Sequence, residues 1–446
     1  MSNSLYTDAP LERTRRHFIN SYPPFNVARR ATDECLRTSD AYGLYLHIPY
    51  CPTICTYCFY KKFGRPSEAE VDHYLAYLKR EIAMFGSRPD TSGRSVRTLY
   101  IGGGTPTVLT NRQLTELMTY VRDHIDLSTL EEFCCEIMPN AETATAEKLE
   151  TLRRLGVQRL SFGVETFNED LLRLHNRPCT RELYRWTYDT ARTVGFEKIN
   201  IDVMSGLGGA TWDTWKSDID TLLDWSVPSV AIYKTEVFYN TNMYVGIRNG
   251  KGPTSLISDE EEIEHIRYAH GRLQREGGYI VGNCLHLLKS TYHHDLHSRY
   301  VWEGGQLKGL GLSAHSCYAD VLHQNASELD EYYALIDKSV LPIRRAHRLT
   351  ARDRMSQAMV YGLKNLALNR ASFVDRFGVD VMVPYGPVIE RLVNDGALTL
   401  DDEWLRITPD HYIFADDVCR RFYLPEYEQM MLAHMDRAQF VELAVH

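Results

Sequence analysis

Short apolar runs alternate with amphipathic stretches along most of this chain, and that alternation limits its fold more than any other feature. Residues 42–48, 96–101, 133–137, 159–164, 199–204 and 230–233 read as strands. Between them Val71, Tyr74, Leu75, Leu78, Ile82 and Phe85 recur at helical spacing, as do Leu114, Leu117, Met118 and Val121, and then Leu149, Leu152 and Leu155. Further helices are expected at about 181–194 and 211–224. Strand, loop and helix repeat at least five times, with a period near 35 to 45 residues. Such a repeat needs parallel strands covered by helices, so the chain is expected to be α/β, as a partial barrel or a doubly wound sheet. In either case, sites gather at the C-terminal ends of the strands.

The pattern changes after about residue 345. One helix is expected over 350–368, then helices near 373–378 and 388–394, then a hairpin over 397–408. That order predicts a small winged-helix-like domain. The expected organisation is a polar lead-in segment over 1–40, a core domain over 41–345 and a terminal domain over 346–446.

The first strand runs straight into the most chemically loaded stretch of the chain, His47-Ile48-Pro49-Tyr50-Cys51-Pro52-Thr53-Ile54-Cys55-Thr56-Tyr57-Cys58. Its C-x3-C-x2-C spacing offers three thiolates. A 4Fe–4S cube takes four, so one iron would be left with an open coordination position for a ligand. Zinc sites usually close with four N or S ligands, and no second C-x2-C pair follows nearby. The three cysteines are too crowded for a disulfide framework. The other seven, Cys35, Cys134, Cys135, Cys179, Cys284, Cys317 and Cys419, are scattered and read as reduced thiols of a cytoplasmic protein.

The net charge of −9, with no long basic run, argues against a nucleic-acid binder. Neither an apolar signal core near the start nor an uninterrupted apolar stretch of membrane-spanning length is found, so no membrane span is expected. Glu136 and Asp202 each interrupt an apolar strand, where an unpaired charge is costly; a ligand amine or ribose hydroxyl is a natural partner, and a structural arginine is the alternative.

The cluster loop resembles that of the radical S-adenosylmethionine superfamily. In order along the chain, Tyr45-Leu46-His47-Ile48-Pro49, the three cysteines, Gly102-Gly103-Gly104-Thr105-Pro106-Thr107, Glu136, Ser161-Phe162-Gly163-Val164-Glu165-Thr166-Phe167, Asn176-Arg177, Asn200-Ile201-Asp202 and Gly309-Leu310-Gly311-Leu312-Ser313-Ala314-His315-Ser316 resemble the oxygen-independent coproporphyrinogen III oxidase family. The segment Ser21-Tyr22-Pro23-Pro24 is also similar to that family's N-terminal stretch.

This resemblance implies a partial (β/α) barrel with the small C-terminal helical, winged-helix-like domain. It implies a 4Fe–4S cluster on Cys51, Cys55 and Cys58, and S-adenosylmethionine cleaved to a 5′-deoxyadenosyl radical. Two molecules of S-adenosylmethionine are expected, the first contacted by Tyr45, Gly103, Glu136 and His315, the second by Tyr57, Thr105, Glu165, Arg177 and Asp202. Gly104 belongs to the same glycine loop, whose backbone N–H groups approach the cofactor. A small-molecule substrate, unsaturated or aromatic, and an electron donor such as flavodoxin or ferredoxin complete the expectation.

Two positions depart from the oxidase pattern. The oxidases usually carry a fourth cysteine two residues after the third, where this chain has Tyr60. The family glutamine is Glu165 here, which when ionised only accepts hydrogen bonds. The leading expectation is therefore methylation or cyclopropanation of an sp2 carbon by the second S-adenosylmethionine. Oxidative decarboxylation of coproporphyrinogen III is the first alternative, and haem trafficking or anaerobic haem degradation the second.

Overall fold

In a computed structural model, the protein is described over residues 5–7, 9–13, 19–31, 41–88, 94–251 and 256–437. The cysteine Cys35 and residues 1–4, 8, 14–18 and 32–40 of the expected lead-in segment lie outside the described residues.

Six parallel strands form the heart of the molecule: β1 (Ala41–Ile48), β2 (Ser95–Gly103), β3 (Glu132–Ile137), β4 (Arg159–Glu165), β5 (Lys198–Ser205) and β6 (Ser229–Lys234). They lie side by side in sequence order. A doubly wound sheet reverses its order at a switch point, and none occurs here, so the architecture is the partial (β/α) barrel. Right-handed crossovers taken always in one direction put every connecting helix on the same face. Those helices are Glu68–Gly86, Asn111–His124, Ala146–Arg154, Arg181–Val194 and Trp212–Trp225. Each is started by a side-chain cap. Ser67, Thr110, Thr145, Thr180 and Thr211 accept a hydrogen bond from the backbone N–H three residues on, satisfying donors that the first turn leaves unpaired.

The sheet continues beyond the barrel on both sides, giving thirteen strands. Gln306–Leu310 pairs parallel with β1, and the antiparallel strands His315–Tyr318, Val321–Asn325 and Ile343–Arg348 follow it outward. His286–Leu288 pairs antiparallel with β6 at the other edge.

Among the described residues two large hydrophobic cores result, with a smaller cluster around Cys55, Tyr57, Met138, Leu207 and Met243. The larger lies between sheet and helices and includes Leu44, Leu99, Ile101, Leu117, Phe162 and Ile201, all essentially inaccessible. The second belongs to the C-terminal region. There the helix Ala351–Lys364, the helices Arg370–Phe377 and Met382–Asn394, and the antiparallel hairpin Leu398–Leu400 with Trp404–Ile407 give the expected winged-helix-like order. Ile19, Tyr22 and Val27, from the start of the chain, are buried in this second core. Tyr22 is held on both polar ends. Its hydroxyl accepts from Ser356 Oγ (2.7 Å) and from the Leu424 N–H (3.1 Å), and its carbonyl accepts from Gln357 Nε2 (2.6 Å).

Among the described residues no helix is long and apolar enough to cross a membrane.

Candidate active site

The C-terminal ends of β1 to β6 surround a cavity of about 280 Å³ that opens to solvent. The cysteine loop leaves β1 and folds over this rim. It is pinned from several elements at once. Asn176 Nδ2 donates to the Ile54 carbonyl (2.8 Å), the Thr56 N–H to the His175 carbonyl (3.2 Å), and the Met243 N–H to the Thr56 carbonyl (2.8 Å). The Thr105 N–H donates to the Tyr50 carbonyl at 2.7 Å. All three thiols, Cys51, Cys55 and Cys58, face the cavity.

Among the described residues, no three His, Cys, Asp or Glu side chains converge as the ligands of a single metal ion would. The thiols instead open on one cavity from separate points, which suits a cube whose irons each take one thiolate. Burial pushes the Cys51 and Cys58 thiols up, Cys51 to about 12, with the Thr105 hydroxyl and Arg177 opposing at Cys51 and Lys62 at Cys58. Cationic metal is the natural compensation for thiolates at such a site.

The glycine loop at the end of β2 brings backbone against this loop. Gly103 has a φ of +114°, and a Cβ there would lie 2.5 Å from the His47 ring. A Cβ on Gly104 would lie 2.4 Å from the Tyr50 carbonyl oxygen and 3.0 Å from Cys51 Sγ. Glycine is therefore required at both positions by space, and at Gly103 by conformation as well.

Three carboxylates converge on the cavity from adjacent strands: Glu136 of β3, Glu165 of β4 and Asp202 of β5. Glu136 accepts from the Gly103 N–H and from the Tyr100 hydroxyl, each at 2.9 Å. Asp202 accepts from Asn200 Nδ2 (2.6 Å) and Ser161 Oγ (3.2 Å). Burial, then the neighbouring Glu165 and Glu136, push the Asp202 carboxyl up to about 8. Burial also raises Glu136 and Glu165. Glu165 closes its strand with a φ of +69°, a strained conformation for a side-chain-bearing residue.

Among the described residues neither Glu136 nor Asp202 has an ion-pair partner, and Glu165 has only Arg177, at 3.8 Å. Arg177 is buried between chemistries. Its Nη1 donates to Cys55 Sγ (3.3 Å) and its Nη2 to the Gly163 carbonyl, while its Nε and the buried Tyr57 hydroxyl have no hydrogen-bond partner. Among the described residues, two buried acids with no ion-pair partner and buried donors with no acceptor describe a cavity shaped for a ligand that carries positive charge and polar oxygen or nitrogen. The ammonium, sulfonium, carboxylate and ribose of S-adenosylmethionine fit that donor set.

Eleven of the residues singled out from sequence meet here: Cys51, Cys55, Cys58, Tyr57, Gly103, Gly104, Thr105, Glu136, Glu165, Arg177 and Asp202. Tyr45 and His315 are not among the residues that line the cavity. Tyr45 bonds His47 Nδ1 through its hydroxyl (3.1 Å), and His315 stacks on Phe25 with ring centroids 3.9 Å apart. The sequence reading missed Phe59, Lys62, Tyr233, Lys234 and Phe238 on the cavity wall. Phe59 and Lys62 directly follow the third cysteine and could have been found by that proximity. Phe238 lies on a loop after β6 whose path no periodicity reveals.

A six-stranded partial barrel with a three-thiol loop at its C-terminal rim defines a radical enzyme of the S-adenosylmethionine-cleaving class. The Radical SAM superfamily model matches residues 45–222, and the HemN C-terminal domain model matches residues 349–410. The haem chaperone HemW of Bacillus subtilis is 30% identical over 387 residues, covering 85% of this chain and 98% of that protein. The oxygen-independent coproporphyrinogen III oxidase of Pseudomonas aeruginosa is 28% identical over 441 residues, 95% of this chain and 94% of that one. The solved structure of coproporphyrinogen III oxidase (HemN) from Escherichia coli superposes with a TM-score of 0.78 at 22% identity, covering 91% of this chain and 96% of that chain. The chain belongs to the radical S-adenosylmethionine superfamily, in its coproporphyrinogen III oxidase-like family. It is an enzyme, and membership implies a 4Fe–4S cluster and S-adenosylmethionine.

Proposed function

We propose that this enzyme carries out oxygen-independent oxidative decarboxylation of a porphyrinogen propionate, the reaction of coproporphyrinogen III oxidases. The observation that carries the reading is the end-to-end match to the Pseudomonas aeruginosa oxidase, which spans both the barrel and the C-terminal domain. It replaces methyl transfer as the leading reading.

In this reading the chain divides into the lead-in segment 1–40, the catalytic core 41–345 and the terminal domain 346–446. Cys51, Cys55 and Cys58 hold the cluster. When bound, the cluster and S-adenosylmethionine supply an electron and a carbon radical able to remove hydrogen from substrate. The chain's own residues do the rest. Gly103 and Gly104 let the backbone approach the cofactor, while Tyr45 and His315, outside the cavity lining, bond His47 and stack on Phe25. Glu136 meets the first molecule's positive end. Arg177 braces Cys55 Sγ and, with Tyr57, Thr105, Glu165 and Asp202, receives a second S-adenosylmethionine. An external low-potential protein of the flavodoxin or ferredoxin kind serves as electron donor in the cytoplasm.

Methyl transfer remains the second reading because Tyr60 stands where the oxidases usually carry a cysteine, and Glu165 where they carry glutamine. Anaerobically reconstituted enzyme, reductant, coproporphyrinogen III and methyl-labelled S-adenosylmethionine separate the two. Decarboxylated, unlabelled product is expected. Label in the product with every propionate retained would replace decarboxylation by methyl transfer.

A further inference from the structure

The cavity's mouth has a wall that the cofactors do not account for. Phe59 packs against Tyr60 with ring centroids 4.3 Å apart and against Phe238 at 4.4 Å, making a continuous run of three rings. Asn240 Nδ2 ties this run together by donating to the Phe59 carbonyl at 3.1 Å. All three aromatic residues line the cavity, yet Tyr60 is 53% exposed, a large aromatic held in the solvent-facing rim. Two cations share the same lining. Lys62 donates to the Cys58 carbonyl, and Lys234 at the end of β6 lies 3.6 Å from Asp259 Oδ1. Deeper in, the carboxylates Glu136, Glu165 and Asp202 would repel an acidic ligand. The cavity thus has an acidic floor suited to a cation and an aromatic, lysine-bearing mouth suited to an anion with a broad unsaturated face.

We propose that Phe59, Tyr60 and Phe238 form a stacking wall for the pyrrole rings of a polycarboxylate tetrapyrrole, with Lys234 meeting one of its peripheral carboxylates. The proposal rests on the tetrapyrrole reading above and adds to it the residues that select the substrate. Aromatic rings gain from offset or edge contact with other rings beyond the area they bury. A lysine ammonium gives a carboxylate a charge-assisted hydrogen bond. Tyr60 stands in the place of the oxidases' cysteine.

The test is binding of coproporphyrin III, the stable oxidised tetracarboxylate, to the cluster-loaded enzyme. It is followed by tetrapyrrole absorbance and run beside coproporphyrinogen turnover. Phe238→Leu is the main variant because it lies outside the cysteine loop; Tyr60→Leu and Lys234→Gln accompany it, with iron content measured for each. We expect Phe238→Leu and Tyr60→Leu each to weaken binding and raise KM about tenfold, with iron content retained. Lys234→Gln should weaken the tetracarboxylate but leave its tetramethyl ester unchanged. Wild-type affinity and KM in Phe238→Leu and Tyr60→Leu, with iron retained, would overturn the wall while leaving decarboxylation standing. Conversely, tight and variant-sensitive binding without decarboxylation would keep the wall and remove the reaction proposed for it. A wild-type enzyme that neither binds the ring nor turns it over would remove both.

Discussion

Asp202 and Arg177 are the residues at which burial and charge compete most directly. The Asp202 carboxyl is pushed from about 3.9 in an unfolded chain to about 8 in the folded one, by burial first and then by Glu165 and Glu136. Between those values the folded state binds the proton more tightly than the unfolded chain, so stability falls as pH rises through this window. Replacing Asp202 with Asn should therefore raise the melting temperature of the cofactor-free protein at pH 8 more than at pH 5. It should also weaken S-adenosylmethionine binding. Anaerobic thermal melts across that range check the first expectation; equal gains at both pH values would refute it.

Arg177 presents a planar fork, with Nη1 on Cys55 Sγ and Nη2 on the Gly163 carbonyl. Lysine keeps the charge but cannot make both bonds, so Arg177→Lys should lower S-adenosylmethionine affinity by about tenfold or more. Equilibrium binding to the anaerobic, cluster-loaded protein with the cluster oxidised, so that the cofactor is not cleaved, measures this. Unchanged affinity would show that charge alone suffices.

Among the elements, the glycine loop after β2 and the cysteine loop after β1 form one unit. A methyl group on Gly104 would press on the Tyr50 carbonyl and Cys51 Sγ, which the Thr105 N–H holds in place from the same side. Gly104→Ala should fold with normal far-ultraviolet circular dichroism but take up less than about half the iron of the parent. Full iron loading would show that the cysteine loop moves freely.

The elements also show what the sequence made legible. All six core strands stand within two residues of where short apolar runs placed them, because strands covered by helices carry an unmistakable pattern. The mixed extension over 306–348 was not legible as strands. His315, Ser316 and Gly309 were read as parts of a cofactor motif, and polar residues such as Lys308, His323 and Asn325 hide the apolar alternation. They are buried through mutual bonds instead. Glu81 accepts from Asn325 Nδ2, the Gly311 N–H and the Tyr332 hydroxyl, which no linear pattern records. At the site, residues fixed by strand ends were legible. The mouth residue Phe238 was not, since it depends on the path of a loop, and Lys234 closes β6 one position beyond the apolar run 230–233.

For the whole molecule, the anchoring of the chain's beginning in the second core matters most. Tyr22 is fully buried among residues of the C-terminal region and hydrogen-bonded at both ends. Tyr22→Ala removes a large ring and strands its partners, so it should cost about 3–5 kcal/mol. The loss should appear as early proteolytic cleavage within residues 349–427 while the barrel resists. Chemical denaturation combined with limited proteolysis tests this; simultaneous loss of both regions would mean that the cores melt as one.

The same tyrosine fixes an order of events during synthesis. Each βα unit of the barrel pairs with the unit just before it, so the barrel can assemble as the chain leaves the ribosome. Tyr22 cannot, because the Leu424 N–H that meets its hydroxyl is 402 positions away. The beginning of the chain must wait, unpartnered, until nearly all of the rest has emerged, and the second core is sealed last.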